Sequence, residues 1–236
     1  MSEPLAVRLA HVRERIAAAA ARAGRRAEEI TLVGISKTRS PDEVRAALAA
    51  GLTDLGENKV QEAVVKLPAL DDLRPRVRWH FVGHLQTNKA ARAALLFDCI
   101  HSVDRPALVA KLVQAATQRP TPLDVLVQVD LAGESTKHGA LESEIFPLLE
   151  ALRAPASVRA VGLMVLPPQV DEAEAARPYF RRLCVLRDRA RAEGLLEGDA
   201  LSMGMSHDFE VAIEEGATLV RVGTAIFGPR GAPPSP

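Results

Sequence analysis

The sequence carries no surplus of charge of either sign. Thirty Lys and Arg residues balance thirty Asp and Glu over 236 positions, for a formal net charge of zero. No global electrostatic attraction therefore draws the chain to nucleic acid or to an anionic membrane, and any partner must be recognised locally. Cysteine is scarce. Cys99 and Cys184 are the two present; they sit in apolar strand-like and helix-like contexts, outside any closely spaced metal-binding pattern, and read as buried thiols of a reducing compartment. No run of about 18 apolar residues occurs, and no basic amino-terminal segment leads into an apolar stretch, so the expected location is the cytosol. Neither G-x-G-x-x-G after a strand nor G-x-x-x-x-G-K-[ST] is present, which removes the sequence basis for dinucleotide and P-loop nucleotide binding.

What the chain does contain is alternation. Leu5, Leu9, Val12 and Ile16 recur at helical spacing in one long opening helix that ends near Gly24. Strand patterns then follow at 31–36, 53–56, 77–82, 98–102, 124–129, 158–163, 200–202 and 219–222. Helical patterns separate them, at 41–50, 58–67, 88–96, from Asp104, from Leu141, and at 171–192. Eight such alternations without a composition break predict an α/β fold, a single-domain (β/α)8 TIM barrel with an additional N-terminal helix, over residues 1–228. An open doubly wound sheet is the alternative. The glycine- and proline-rich segment 229–236 reads as a loosely ordered tail.

Lys37 closes the apolar run Thr31-Leu32-Val33-Gly34-Ile35-Ser36 and precedes the helix start Ser40-Pro41. A strand-end lysine either extends into water or, when partly desolvated, offers a neutral amine that condenses with an aldehyde, the usual way a lysine holds pyridoxal phosphate. Near the other end, Ser202-Met203-Gly204-Met205-Ser206 and Arg221-Val222-Gly223-Thr224 are two small, hydroxyl-bearing turns, each before a helical pattern. They read as a phosphate cradle or as tight-turn packing. In a barrel the strand C-termini share one face, so Lys37, Asn58, His80, Lys137, Met164, Ser202 and Arg221 would converge there. His80, His84 and Lys89 form a polar patch whose spacing matches no metal motif, and no metal is expected. Ser206 reads as a helix cap and Asp208 as a first-turn residue.

Six ordered segments carry a family resemblance: VGISKTRS at 33–40, GENKVQE at 56–62, WHFVGHLQTNK at 79–89, GESTKHG at 133–139, SMGMSHDFEVAIEEGA at 202–217 and RVGTAIFG at 221–228. They span nearly the whole core, and the chain resembles the pyridoxal phosphate homeostasis protein family, whose fold is like the N-terminal barrel domain of alanine racemases. The resemblance implies pyridoxal 5'-phosphate as cofactor, held by Lys37 as a Schiff base, and a role in intracellular cofactor homeostasis, by buffering or exchange, without established turnover. It places Arg221 near the pyridine nitrogen, where a permanent positive charge disfavours ring protonation. Ser202, Met203, Gly204, Gly223 and Thr224 are the expected phosphate contacts, and Asn58 either fixes the cofactor ring or caps the helix after it.

The alternative function is a low-activity, racemase-like pyridoxal phosphate enzyme acting on amino acids, and a purely structural barrel is a third. The related racemases place a tyrosine from a second domain opposite the lysine. Here the one tyrosine, Tyr179, falls in the long helix at 171–192, and the chain is expected to be too short for that domain. Binding is therefore expected over catalysis. The remaining expectations are a monomer, transient contact with pyridoxal phosphate-dependent enzymes, no nucleic acid, no membrane, and a solvated or ligand-approaching Lys137. Arg39 and His138, which depart from the family pattern, are expected to tune phosphate capture.

Overall fold

The computed structural model describes residues 3–133 and 138–229, so Lys137 and most of the expected tail lie outside the described residues. Eight parallel strands close into one barrel in sequence order. They are β1 (Thr31–Ile35), β2 (Asp54–Glu57), β3 (Arg78–Phe81), β4 (Cys99–Val103), β5 (Leu123–Val129), β6 (Val158–Val165), β7 (Ala200–Ser202) and β8 (Leu219–Val222). Pairing of β1 with β8, in register from Thr31 opposite Leu219 to Gly34 opposite Val222, rules out the open sheet.

The helices are α1 (Leu5–Arg22), α2 (Pro41–Ala49), α3 (Val60–Lys66), α4 (Ala90–Leu96), α5 (Pro106–Ala116), α6 (Glu142–Arg153), α7 (Arg177–Ala192), α8 (Phe209–Glu214) and α9 (Thr224–Phe227). The extra helix α1 packs on α8, α9 and α2. Local chemistry sets the boundaries. Ser40 caps α2 by accepting from the Glu43 N–H while the Glu43 carboxylate accepts from the Ser40 N–H, with Pro41 behind it. The helix predicted at 58–67 starts at Val60 and passes into 3-10 turns over Leu67–Arg76, where Pro68 and Pro75 remove amide donors. The one predicted at 171–192 opens as a 3-10 turn over Ala173–Ala176, and α7 starts just before Pro178.

Period-two alternation divides the strands between two cores. On β3, Trp79 and Phe81 face the helix layer, and on β8 so do Val220 and Val222, within the large cluster that includes Leu9, Val12 and Phe209. The opposite positions, Val33, Ile35, Cys99, Leu126, Met164 and Leu219, fill a small inner cluster. Barrel interiors are normally packed with branched apolar side chains. This one instead buries His80, His101, Ser202 and Arg221, each at most 3% exposed. A polar interior of that kind needs internal partners, and its hydrogen bonds determine the chemistry of the site.

Candidate functional site

Lys37 stands in the turn leaving β1, half-buried, at the C-terminal mouth of the barrel. Its neighbours on both sides are tied down. Ser36 Oγ donates to Glu57 Oε1 at 2.7 Å, and the Ser36 carbonyl accepts from Lys66 Nζ at 2.7 Å. Thr38 adopts φ 64°, a left-handed conformation costing a non-glycine residue about 1 kcal/mol or more, and its N–H donates to Glu62 Oε1 at 2.5 Å. Lys66 Nζ lies 2.8 Å from both Glu57 and Glu62. Burial pushes the Glu57 carboxyl up, and the ammonium of Lys66 opposes that shift. One buried cation and two carboxylates thus clamp the turn that presents Lys37.

That turn opens on a cavity of about 280 Å³ whose lining includes Lys37, Arg221, Ser206, Gly223 and Thr224. A larger hollow of about 360 Å³, lined by Arg13, Ile16 and Asp54, lies against α1 and the first residues of β1 and β2, away from Lys37. Arg221 and the second turn, Gly223-Thr224, are therefore brought to Lys37 as expected. Of the first turn, Met205 and Ser206 reach the cavity, whereas Ser202, Met203 and Gly204 do not line it. Ser202 and Met203 are fully buried and absent from the lining; Met203 packs in the outer core, and Ser202 Oγ accepts from Arg221 Nη1 at 2.5 Å while lying 2.8 Å from His101 Nδ1. Gly204 has φ 89°, and a Cβ there would fall 2.6 Å from Ala212 Cβ and 2.8 Å from Phe209 Cα, so close packing of α8 explains the glycine.

Ser206 reaches the cavity in place of Ser202. It does not cap α8, since Asp208 occupies that position and accepts from the Met205 N–H at 2.6 Å. Its hydroxyl faces the α9 turn instead, 3.5 Å from the Ala225 nitrogen. Asn58 is not a cap either: α3 begins after Lys59, and Asn58 Oδ1 is buried with no hydrogen-bond partner among the described residues. Gly83 presses on this residue, and a Cβ there would sit 2.1 Å from the Asn58 carbonyl oxygen. An orphaned buried acceptor is a binding signal, because leaving it unpaired costs about 1–3 kcal/mol. Arg39 lines the cavity, but its guanidinium bonds the carbonyls of Gly228 and Pro229 and the Glu43 carboxylate.

The polar patch of the β3 segment is split. His80 points into the barrel, while His84 is on the rim, stacked on His138 at 3.5 Å between ring centroids. Among the described residues two groups could in principle gather a cation, His80 with Cys99 and His101, and His84 with Asp104 and His138. Cys99 and His101 share β4, two residues apart, while His80 comes from β3 and the second group is drawn from separate loops, so spacing along the chain does not reveal either group whole. Tyr179 lies on α7 and lines no part of the cavity.

Burial lowers the affinity of His80 and His101 for protons. For His80 the Asp54 carboxylate opposes that shift; for His101 the neighbouring His80, Arg221 and Arg78 add to it and take it well below the ordinary value. Burial also draws Arg221 down to about 10, opposed by Asp208, which leaves the guanidinium charged at neutral pH. Because the two imidazoles bind protons more weakly in the fold than in the unfolded chain, their contribution is complete above about pH 6.5 and is lost as pH falls. Between pH 7 and pH 5 the folding free energy is expected to drop by about 2 kcal/mol for each imidazole that stays neutral. Urea unfolding at the two pH values checks this. A His101→Phe variant with the same pH dependence as the parent would contradict it.

The site therefore offers a positioned amine, a buried guanidinium and paired hydroxyls. The alanine racemase N-terminal domain model matches residues 7–231. A pyridoxal phosphate homeostasis protein of Aquifex aeolicus is 45% identical over 223 residues, 94% of this chain and 97% of that one. The structure of PipY from Synechococcus elongatus with pyridoxal phosphate bound superposes with a TM-score of 0.83 at 35% identity, over 95% of this chain and 100% of that one. Alanine racemase from Corynebacterium glutamicum, at 18% identity and a TM-score of 0.65 over 93% of this chain and 61% of that one, shares the fold. Near-complete coverage at these identities, over a barrel whose mouth joins Lys37 to Arg221, means that the chain belongs to the pyridoxal phosphate homeostasis protein family, whose barrel is that of the alanine racemase N-terminal domain.

Proposed function

We propose that this protein binds pyridoxal 5'-phosphate through a Schiff base to Lys37 and acts in cofactor homeostasis, buffering and exchanging the cofactor without catalytic turnover. The observation that carries the reading is the shared cavity: Lys37, Arg221, Ser206 and Thr224 face the same 280 Å³ of space in a family whose member PipY has been solved with this ligand. The residues present fit the group. When bound, pyridoxal phosphate supplies an aldehyde that a lysine amine attacks with loss of water. Lys37 provides the amine. Arg221 provides a cation toward the ring nitrogen and disfavours its protonation, so the ring is a weak electron sink. Asn58 Oδ1, buried and without a partner among the described residues, is assigned to the ring substituents. Exchange with dependent enzymes proceeds by transient contact of a monomer.

Phosphate is assigned to Ser206, Gly223 and Thr224, through hydroxyls and backbone N–H groups. Ser206→Ala and Thr224→Ala are each expected to weaken pyridoxal phosphate more than pyridoxal, by about 1–3 kcal/mol, measured by equilibrium titration of both ligands. Ser202→Ala acts through Arg221 and should weaken both ligands alike; equal losses in all three variants would reject the assignment. The test of the function as a whole is chiral product analysis of the loaded protein over many equivalents of L-alanine, with free cofactor as background. Stoichiometric loading without turnover is expected. Sustained racemisation lost in Lys37→Ala would replace homeostasis with catalysis.

A further inference from the structure

Arg221 makes no ion pair among the described residues. Its Nη2 donates to the Val165 carbonyl at 2.9 Å and its Nη1 to Ser202 Oγ at 2.5 Å. From that hydroxyl the polar contacts continue across the barrel. Ser202 Oγ lies 2.8 Å from His101 Nδ1, His101 Nε2 lies 2.9 Å from His80 Nδ1, and His80 Nε2 lies 3.0 Å from Asp54 Oδ1. The two rings meet edge-on at 82° with centroids 5.1 Å apart. Asp54 is the first residue of β2, at the end of the barrel opposite the cavity.

Proton positions along this line follow from either end. A guanidinium only donates, so Ser202 Oγ accepts from it and its own proton is free to go to His101 Nδ1. A carboxylate only accepts, so His80 carries its proton on Nε2. A neutral imidazole has one N–H and one bare nitrogen, which leaves His80 Nδ1 bare and His101 Nε2 protonated between them. The two derivations meet without conflict, and every group in the line is satisfied once. The line also accounts for His80 and His101 without a cation, which would have to displace the bond between them.

We propose that Asp54, His80, His101 and Ser202 form one buried hydrogen-bond line, polarised in a single direction, that positions the Arg221 guanidinium at the cavity. The proposal rests on the cavity being the pyridoxal phosphate site. The four are positioning residues: none lines the cavity, and each acts through the next. The arrangement gives the orientation of Arg221 no slack, because turning the guanidinium would strand a buried hydroxyl and two imidazoles.

The test joins two readouts. In the full-length cofactor-free protein, long-range ¹H–¹⁵N NMR should find His80 and His101 neutral at pH 7, each as the single Nε2–H tautomer. In the loaded protein, His101→Phe should shift the absorption maximum of the imine band and weaken cofactor binding about tenfold, the effect of losing one hydrogen bond. Asp54→Asn, a milder change at a partly exposed position, should keep the fold and shift the band in the same direction. A charged imidazole, or an Nδ1–H tautomer at either position, would overturn the line. So would a folded His101→Phe or Asp54→Asn protein with the parental band and affinity. If no variant or parent forms the band while both tautomers are as stated, the cofactor reading fails and the hydrogen-bond line stands.

Discussion

Lys37→Ala is expected to abolish the imine absorption band entirely while leaving the cofactor-free barrel folded, with stability changed by about 1 kcal/mol or less. The side chain stands half-buried at the end of β1 and contributes no volume to either core. What fixes the turn is instead the backbone and side-chain bonding of Ser36 and Thr38 to Glu57, Glu62 and Lys66, none of which the substitution removes. Phosphate and ring contacts persist in the variant, so residual non-covalent binding should remain, visible by equilibrium dialysis and blind to borohydride. A Lys37→Ala protein that still shows the band, or that melts far below its cofactor-free parent, would contradict this.

Lys66→Met should cost the fold about 3–5 kcal/mol, the penalty for leaving a buried carboxylate without its cation. Lys66 is 6% exposed, and Glu57 beneath it is fully buried with Oε2 already unpartnered among the described residues. Removing the ammonium strips both carboxylates and the Ser36 carbonyl of a donor at once. Because that clamp holds the turn bearing Lys37, cofactor affinity should fall along with stability. Adding Glu57→Gln to Lys66→Met should return part of the loss by removing the stranded charge. Urea unfolding of the single and double variants checks both statements. A single variant within 1 kcal/mol of its parent would show that the clamp bears little load.

The fold was legible because each element announces itself locally. Thr31–Ile35 and Leu219–Val222 are short apolar runs with turn residues after them, Ser40 and Pro41 mark a helix start, and eight such units have few ways to pack. The convergence of Lys37 and the second glycine turn on one cavity was legible for the same reason, since strand C-termini share a face. The burial of Ser202 was not legible because its partner in space, His101, is 101 residues away, and nothing local separates a hydroxyl facing a cavity from one buried against an arginine. Ser206 was passed over because Ser-His-Asp before a helix looks like a cap, whereas Asp208 occupies the residue before α8 and its carboxylate accepts from the Met205 N–H. The Glu57–Lys66 clamp left a partial signal: Glu62 and Lys66 are four apart on α3, and only the fold adds Glu57 to them.

The covalent role of Lys37 is tested most directly by reducing the pyridoxal phosphate-loaded protein with borohydride and mapping the modified peptide by mass spectrometry. A single principal adduct on Lys37 is the predicted result. A principal adduct on another lysine, such as Lys66 or Lys137, would contradict it.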